Sequence, residues 1–119
     1  NPIEMLKKYL EDYVNGPEAT TYASFKSGAV LKDEEHYYFD YDKFYEEIKR
    51  NEWTKDRPRT ATLIKSHFKA EFGFQKRFPK GESEKSFPPV RCIKMPADDL
   101  MKEEIPDEKI EIEDKQNIV

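Results

Sequence analysis

One Trp, seven Tyr and eight Phe all fall between Tyr9 and Phe87, and none lies from Ala97 to Val119. That placement decides which part of the chain can hold a core. Hydrophobic residues make up 36% of the 119 residues and charged residues 39%, so aliphatic side chains alone would leave a thin interior. Each ring buries roughly 150–250 Å², which lets a short chain enclose enough apolar surface to fold. The length fits one domain, and residues 1–96 are expected to form it. Residues 97–119 are acidic with scattered aliphatics and cannot offset their ordering entropy. They are expected to form a flexible acidic tail.

The composition also excludes classes. No apolar run approaches the roughly 18 residues that would span a membrane, so no membrane partner is expected. No charged-then-apolar signal stretch opens the chain. Cys92 is the single cysteine, which rules out an intrachain disulfide and points to a reducing compartment. The chain opens Asn1-Pro2 without an initiator Met, as a piece excised from a longer protein would.

The net charge of −4 hides a block pattern. Residues 1–42 carry 4 Lys and 9 acids, a net −5. Residues 43–96 carry 14 Lys and Arg against 7 acids, a net +7, and residues 97–119 carry 3 Lys and 9 acids, a net −6. Only the middle block can attract a polyanion. The acidic end could occupy that basic block and weaken nonspecific binding, so deleting residues 97–119 is expected to raise DNA affinity at low salt.

Periodicity places the elements. Ile3, Leu6, Leu10 and Tyr13 recur at helical spacing, and Asn15-Gly16-Pro17 ends that helix. The small polar residues 18–28 suit a loop. Val30–Lys32 and His36–Phe39 flank Asp33-Glu34-Glu35 as a short hairpin would. Asp40 or Asp42 caps a helix to about Asn51, with Tyr41, Phe44, Tyr45 and Ile48 on one face. Trp53 anchors the following turn, and Asp56–Pro58 form another. The spacing predicts a helix over Arg59–Phe72, with Ala61, Leu63, Ile64, His67, Phe68 and Phe72 inward and Gly73 as its C-cap. Phe74–Phe78 and Val90–Lys94 read as two strands around a loop from Pro79 to Phe87. Three helices followed by a β-ribbon give an α+β chain on the winged-helix plan, a helix-turn-helix variant.

In such a plan the exposed face of the last helix meets a duplex groove. Here that face is Arg59, Thr62, Lys65, Ser66 and Lys69, whose cations and short hydroxyls suit phosphates and base edges. Lys55 and Arg57 precede the helix, where its N-terminal dipole favours a phosphate. Lys76, Arg77, Lys80, Lys85 and Arg91 would lie on the wing. The competing role for the same face is protein interaction.

Catalytic readings find little support. Asp40-Tyr41-Asp42 has the spacing of a Mg²⁺-binding carboxylate pair, but an Asp before an apolar helical repeat is also the common cap. His36 and His67 have no Cys or His at metal-ligand spacing, so no metal and no cofactor are expected. His67 is expected to be partly buried, and Cys92 to pack as a small apolar residue. The four glycines are too scattered for a phosphate loop. The fragment is not expected to be an enzyme.

The run His36-Tyr37-Tyr38-Phe39-Asp40-Tyr41-Asp42-Lys43-Phe44-Tyr45-Glu46-Glu47-Ile48, with Trp53, Leu63-Ile64-Lys65 and Val90-Arg91-Cys92-Ile93, carries a resemblance. Over residues 3–96 the chain resembles the C-terminal winged-helix segment of phage and plasmid replication proteins that join a primase-polymerase to a hexameric helicase. The Lys/Glu-rich style and acidic end are similar to those of deep-sea vent phage primase-polymerases. The resemblance implies an accessory DNA-binding module in DNA replication, with the DNA polymerase and helicase activities upstream. It implies DNA as partner, single- or double-stranded, together with other domains or subunits of the parent protein. The alternative role is an oligomer-bracing domain of the same machine. A cytoplasmic location follows, in the host cell if the chain is phage-encoded.

Overall fold

Side-chain caps start each helix. Asn1 Oδ1 accepts the Ile3 N–H at 2.9 Å and opens α1, Pro2–Val14. Thr21 and Ser24 form a reciprocal capping box that starts the one-turn helix α2, Tyr22–Lys26. Asp40 opens α3, Tyr41–Arg50, and Asp56 opens α4, Arg57–His67. Each such cap satisfies an orphan N–H and contributes about 0.5–2 kcal/mol. The computed structural model describes residues 1–78 and 87–102. Within them lie these four helices and a four-stranded antiparallel sheet, an α+β fold.

The strands are β1 (Leu31–Lys32), β2 (His36–Phe39), β3 (Glu71–Lys76) and β4 (Val90–Pro96), in the spatial order β1-β2-β4-β3. The expected hairpin and ribbon are therefore one sheet. Its join is the pairing of β2 with β4, from His36 opposite Pro96 to Phe39 opposite Ile93. Alternation along the strands explains the join. Phe39, Ile93 and Met95 point into a core shared with Leu6, Leu10, Phe44, Ile48, Trp53, Ile64 and Phe68. Tyr38, Val90 and Cys92 point the other way and pack with Ala19 and Phe25.

That second cluster corrects the loop expected over 18–28. The segment closes on itself, with the Val30 N–H donating to Pro17 O at 3.0 Å and the Ala19 N–H to Val30 O at 2.7 Å. It carries α2 onto the sheet, with Phe25 fully buried. The Ser24 hydroxyl that starts α2 also makes the sequence look like coil.

The helix expected over Arg59–Phe72 is corrected at both ends. Asp56 is the cap and Arg57 and Pro58 are already helical, because Pro is tolerated in the first turn. The helix stops at His67, and Phe68 turns extended with φ −126° and ψ 155°. Phe72 belongs to β3, where Glu71 opposes Lys94 and Phe74 opposes Cys92. Sheet pairing overrides the helical wheel there. Gly73 is not a C-cap but sits inside β3 with φ +74°, at a register shift between Glu71 and Phe74. The strand expected over Phe74–Phe78 accordingly runs from Glu71 to Lys76. His67 is exposed rather than partly buried.

The fold also continues past residue 96. The Ala97 N–H donates to Glu35 O at 2.9 Å, Leu100 is buried, and Met101 bridges Phe68. Packing thus persists beyond the boundary expected at residue 96, with Leu100 and Met101 as the apolar pair that holds the crossing. Residues 103–119 of the expected tail lie outside the described residues. No described helix is long and apolar enough to cross a membrane.

Candidate functional site

The site begins at the turn between α3 and α4. The Trp53 N–H reaches Ile48 O at 3.0 Å and the Glu52 N–H reaches Lys49 O at 3.3 Å. This is a Schellman closure, with Glu52 in the left-handed region at φ 74°. It drops Trp53 into the core, where 4% of its surface remains exposed. The Trp53 indole N–H donates to Thr60 Oγ1 at 2.7 Å, and that hydroxyl donates to Asp56 O at 2.7 Å. Three tyrosines hold the same connector from outside. Tyr9, Tyr45 and Tyr41 hydroxyls donate to the carbonyls of Asn51, Lys55 and Arg57 at 2.6, 2.9 and 2.6 Å. Burial pushes the Tyr41 phenol up to about 12.

These contacts fix the rotation of α4. Thr60, Ile64 and Phe68 turn inward and are fully buried. Arg59, Thr62, Lys65 and Ser66 share the outer side, where Arg59, Lys65 and Ser66 are exposed and the Thr62 hydroxyl is turned back onto the helix. Lys69 is exposed too, but it lies beyond the helix end. The Thr62 hydroxyl is occupied by Pro58 O at 3.0 Å, and the Lys65 ammonium rests 4.9 Å over the Phe72 ring.

Two of the expected cations are already paired. Arg57 meets Asp42 at 2.8 Å and also lies 5.8 Å over the Tyr45 ring, while Lys69 meets Asp99 at 3.3 Å. Among the described residues, Lys55, Arg59 and Lys65 have no carboxylate within ion-pair distance. The Asp40-Tyr41-Asp42 pair resolves the same way. Asp40 Oδ1 accepts the Asp42 N–H at 2.8 Å as a cap, and the Asp42 carboxylate turns to Arg57. Among the described residues no three His, Cys, Asp or Glu gather as a metal site would require.

The expected wing cations spread over the β3–β4 hairpin. Lys76 lies 4.6 Å over the Tyr38 ring, on the side of the sheet covered by α2. Arg91 is exposed on β4, and Arg77 follows the end of β3. The Arg91 guanidinium sits against Gly73, where an added Cβ would come within 2.8 Å of its Nη2. Lys80 and Lys85 lie outside the described residues. The stem of their loop is pinned to α2, because Tyr22 stacks on Phe87 at 4.3 Å and meets Phe78 edge-on at 5.4 Å. Sequence reasoning missed Thr60 and Tyr22 as positioning residues. Thr60 has a legible signal, since it shares the helical stripe of Ile64 and Phe68, whereas Tyr22 has none.

Burial pushes the Cys92 thiol up to about 11, and its Sγ sits 3.6 Å from Phe74 O, so it is a packed side chain rather than a nucleophile. No family model matches the chain, and no curated protein or solved structure matches it either.

Proposed function

We propose that this chain is an accessory DNA-binding module of the winged-helix kind, meeting DNA through the outer side of α4 and the β3–β4 hairpin. The observation that carries the reading is that Arg59 and Lys65 lie exposed, with no carboxylate at ion-pair distance among the described residues, on the outer side of the one helix whose rotation is fixed from both sides, with Lys55 just before it. The order α1, β2, α3, α4, β3, β4, with β2 paired to β4, supports the winged-helix assignment. In this reading α2 and β1 are additions, and α2 braces the base of the wing. The resemblance to primase-polymerase–helicase proteins supports placing the module in a replication protein. Synthesis and ATP hydrolysis would then reside in other parts of that protein, with no catalytic step on this fragment.

The test is fluorescence anisotropy of labelled single- and double-stranded DNA across a salt series. The logarithm of the affinity is expected to fall linearly with the logarithm of salt. Arg59→Glu and Lys65→Glu each take away one cation for a duplex phosphate, so each should reduce the slope by about 0.9. Both residues are exposed, so thermal melting should move by only a few degrees, the change expected from losing the Lys65 contact with the Phe72 ring and from placing an acid in the first turn of α4. Unchanged affinity in both variants would refute the reading.

One observation favours a second reading. Arg57 and Lys69 are neutralised by Asp42 and Asp99, and Lys65 leans on Phe72, which thins the charge available to DNA. A domain that braces neighbouring subunits would tolerate that. It predicts no DNA binding at low salt, together with loss of subunit assembly on disrupting the same surface.

A further inference from the structure

The segment after β4 runs back across the end of α4 rather than away from it. Its backbone lies against the residues that leave the helix, with the Lys69 N–H donating to Leu100 O at 2.8 Å and the Lys102 N–H to His67 O at 3.0 Å. Leu100 keeps only 8% of its surface exposed and Met101 bridges Phe68, so the crossing is fixed by packing as well as by hydrogen bonds. The crossing also brings charge. Asp99 places its carboxylate 3.3 Å from the Lys69 ammonium. One acid of the C-terminal block thus already sits on one cation of the basic block.

The next residues are strongly anionic. Residues 103–119 carry 7 acids and 2 Lys, a net −5. They depart from Lys102, which is hydrogen-bonded to the last residue of α4. At about 3.3 Å per extended residue their reach is roughly 55 Å, whereas the 11 residues of α4 span about 16 Å. The whole outer side of the helix is within reach. A tether this short gives an effective concentration near the millimolar range, and the Debye length at 0.1 M salt, about 10 Å, leaves short-range attraction intact.

We propose that residues 103–119 are the intramolecular partner of the exposed basic side of α4 and compete there with nucleic-acid phosphates. The proposal rests on the reading of that side as a polyanion surface, and it names what occupies the surface when DNA is absent. The strap at residues 97–102 is the anchor, and it belongs to the domain itself. Deletion of the whole block from Ala97 would therefore remove core packing along with charge.

The experiment keeps the full chain and changes the seven carboxylates between Glu103 and Asp114 to their amides. Amide resonances of Arg59–Ser66 are compared between the two chains by ¹⁵N–¹H NMR at low and high salt, without DNA. They are expected to differ at low salt and to coincide at high salt. In parallel, the amidated chain should bind DNA several-fold more tightly at low salt, with the gap closing as salt rises. A second chain ending at Lys102 should reproduce both effects. Coincident α4 resonances at low salt would overturn the proposal, even if affinity rose, because added positive charge alone would raise affinity without touching the helix. Differing resonances in chains that never bind DNA would uphold the tail contact and overturn the DNA-binding reading instead.

Discussion

Replacing Thr60 by Val tests what holds α4 in its orientation. Thr60 is fully buried, and its hydroxyl both accepts from Trp53 Nε1 and donates to Asp56 O, each at 2.7 Å. Valine keeps the shape but cannot do either, so the exchange is not conservative. The two losses differ in weight. Asp56 O still accepts the Thr60 N–H at 2.9 Å, so the carbonyl remains satisfied. The Trp53 indole N–H has no second partner in the described residues and is left unpaired in a buried site. The expected destabilisation is that of one orphaned buried donor, about 1–3 kcal/mol. Each kcal/mol lowers the melting temperature of a domain this size by about 4–8 °C. Urea unfolding followed by Trp fluorescence is the assay, because Trp53 is the single tryptophan and reports from the site itself. A double-mutant cycle with Trp53→Phe, followed by circular dichroism, isolates the pair, and coupling of about 1–3 kcal/mol is expected, because without the indole no donor is orphaned. Coupling near zero, or a neutral Thr60→Val, would refute the claim that this bond helps hold α4 in its orientation.

Other residues carry three more expectations. Asp33 is held down at about 2, below its ordinary 3.8, first by the Tyr38 hydroxyl and then by the Glu35 and His36 N–H groups. A depressed carboxylate stabilises above its unfolded pKa, so that contribution should fade as pH falls from about 4 to 2, and Asp33→Asn should flatten this acid limb in urea titrations. Glu52→Gly should stabilise the domain by up to about 1 kcal/mol in the same titrations. It relieves a left-handed residue that costs roughly 1–2 kcal/mol, partly offset by glycine entropy. Gly73→Ala should destabilise by about 1–2 kcal/mol, since its φ of +74° persists. The new Cβ also displaces the Arg91 guanidinium, which a shifted Arg91 side-chain resonance would report.

The elements legible in the sequence were those with one dominant signal. The stripe from Ile3 to Tyr13 marked α1, and its buried residues are Leu6, Leu10, Tyr13 and Val14. Asp40 before Phe44 and Ile48 marked α3 with its cap, and Trp53 anchors the turn as expected. The outer side of α4 was legible because Arg59, Thr62, Lys65 and Ser66 share a phase that any helix through them preserves. What escaped was decided by distant partners. Phe68 and Phe72 satisfy the helical wheel, yet β4 claims Phe72 for a strand. α2 hides among small polar residues because its stability comes from Phe25 against the sheet rather than from propensity. The packed crossing at Leu100 was masked by acids on either side of it.

The position of β4 has a kinetic consequence. It lies second from one edge, between β2 and β3, yet it is the last of the described strands to leave the ribosome. Until it arrives, β2 has only the two residues of β1 beside it and β3 has no partner among the described strands. A nascent or truncated chain lacking Val90–Pro96 would expose unpaired strand backbone together with Phe39, Tyr38 and Phe74, the kind of surface that recruits other chains. Closing the sheet also joins residues more than fifty positions apart, so folding should be slow for a domain this small. Chaperone dependence, if the cell imposes one, would concentrate in the interval before this strand is made.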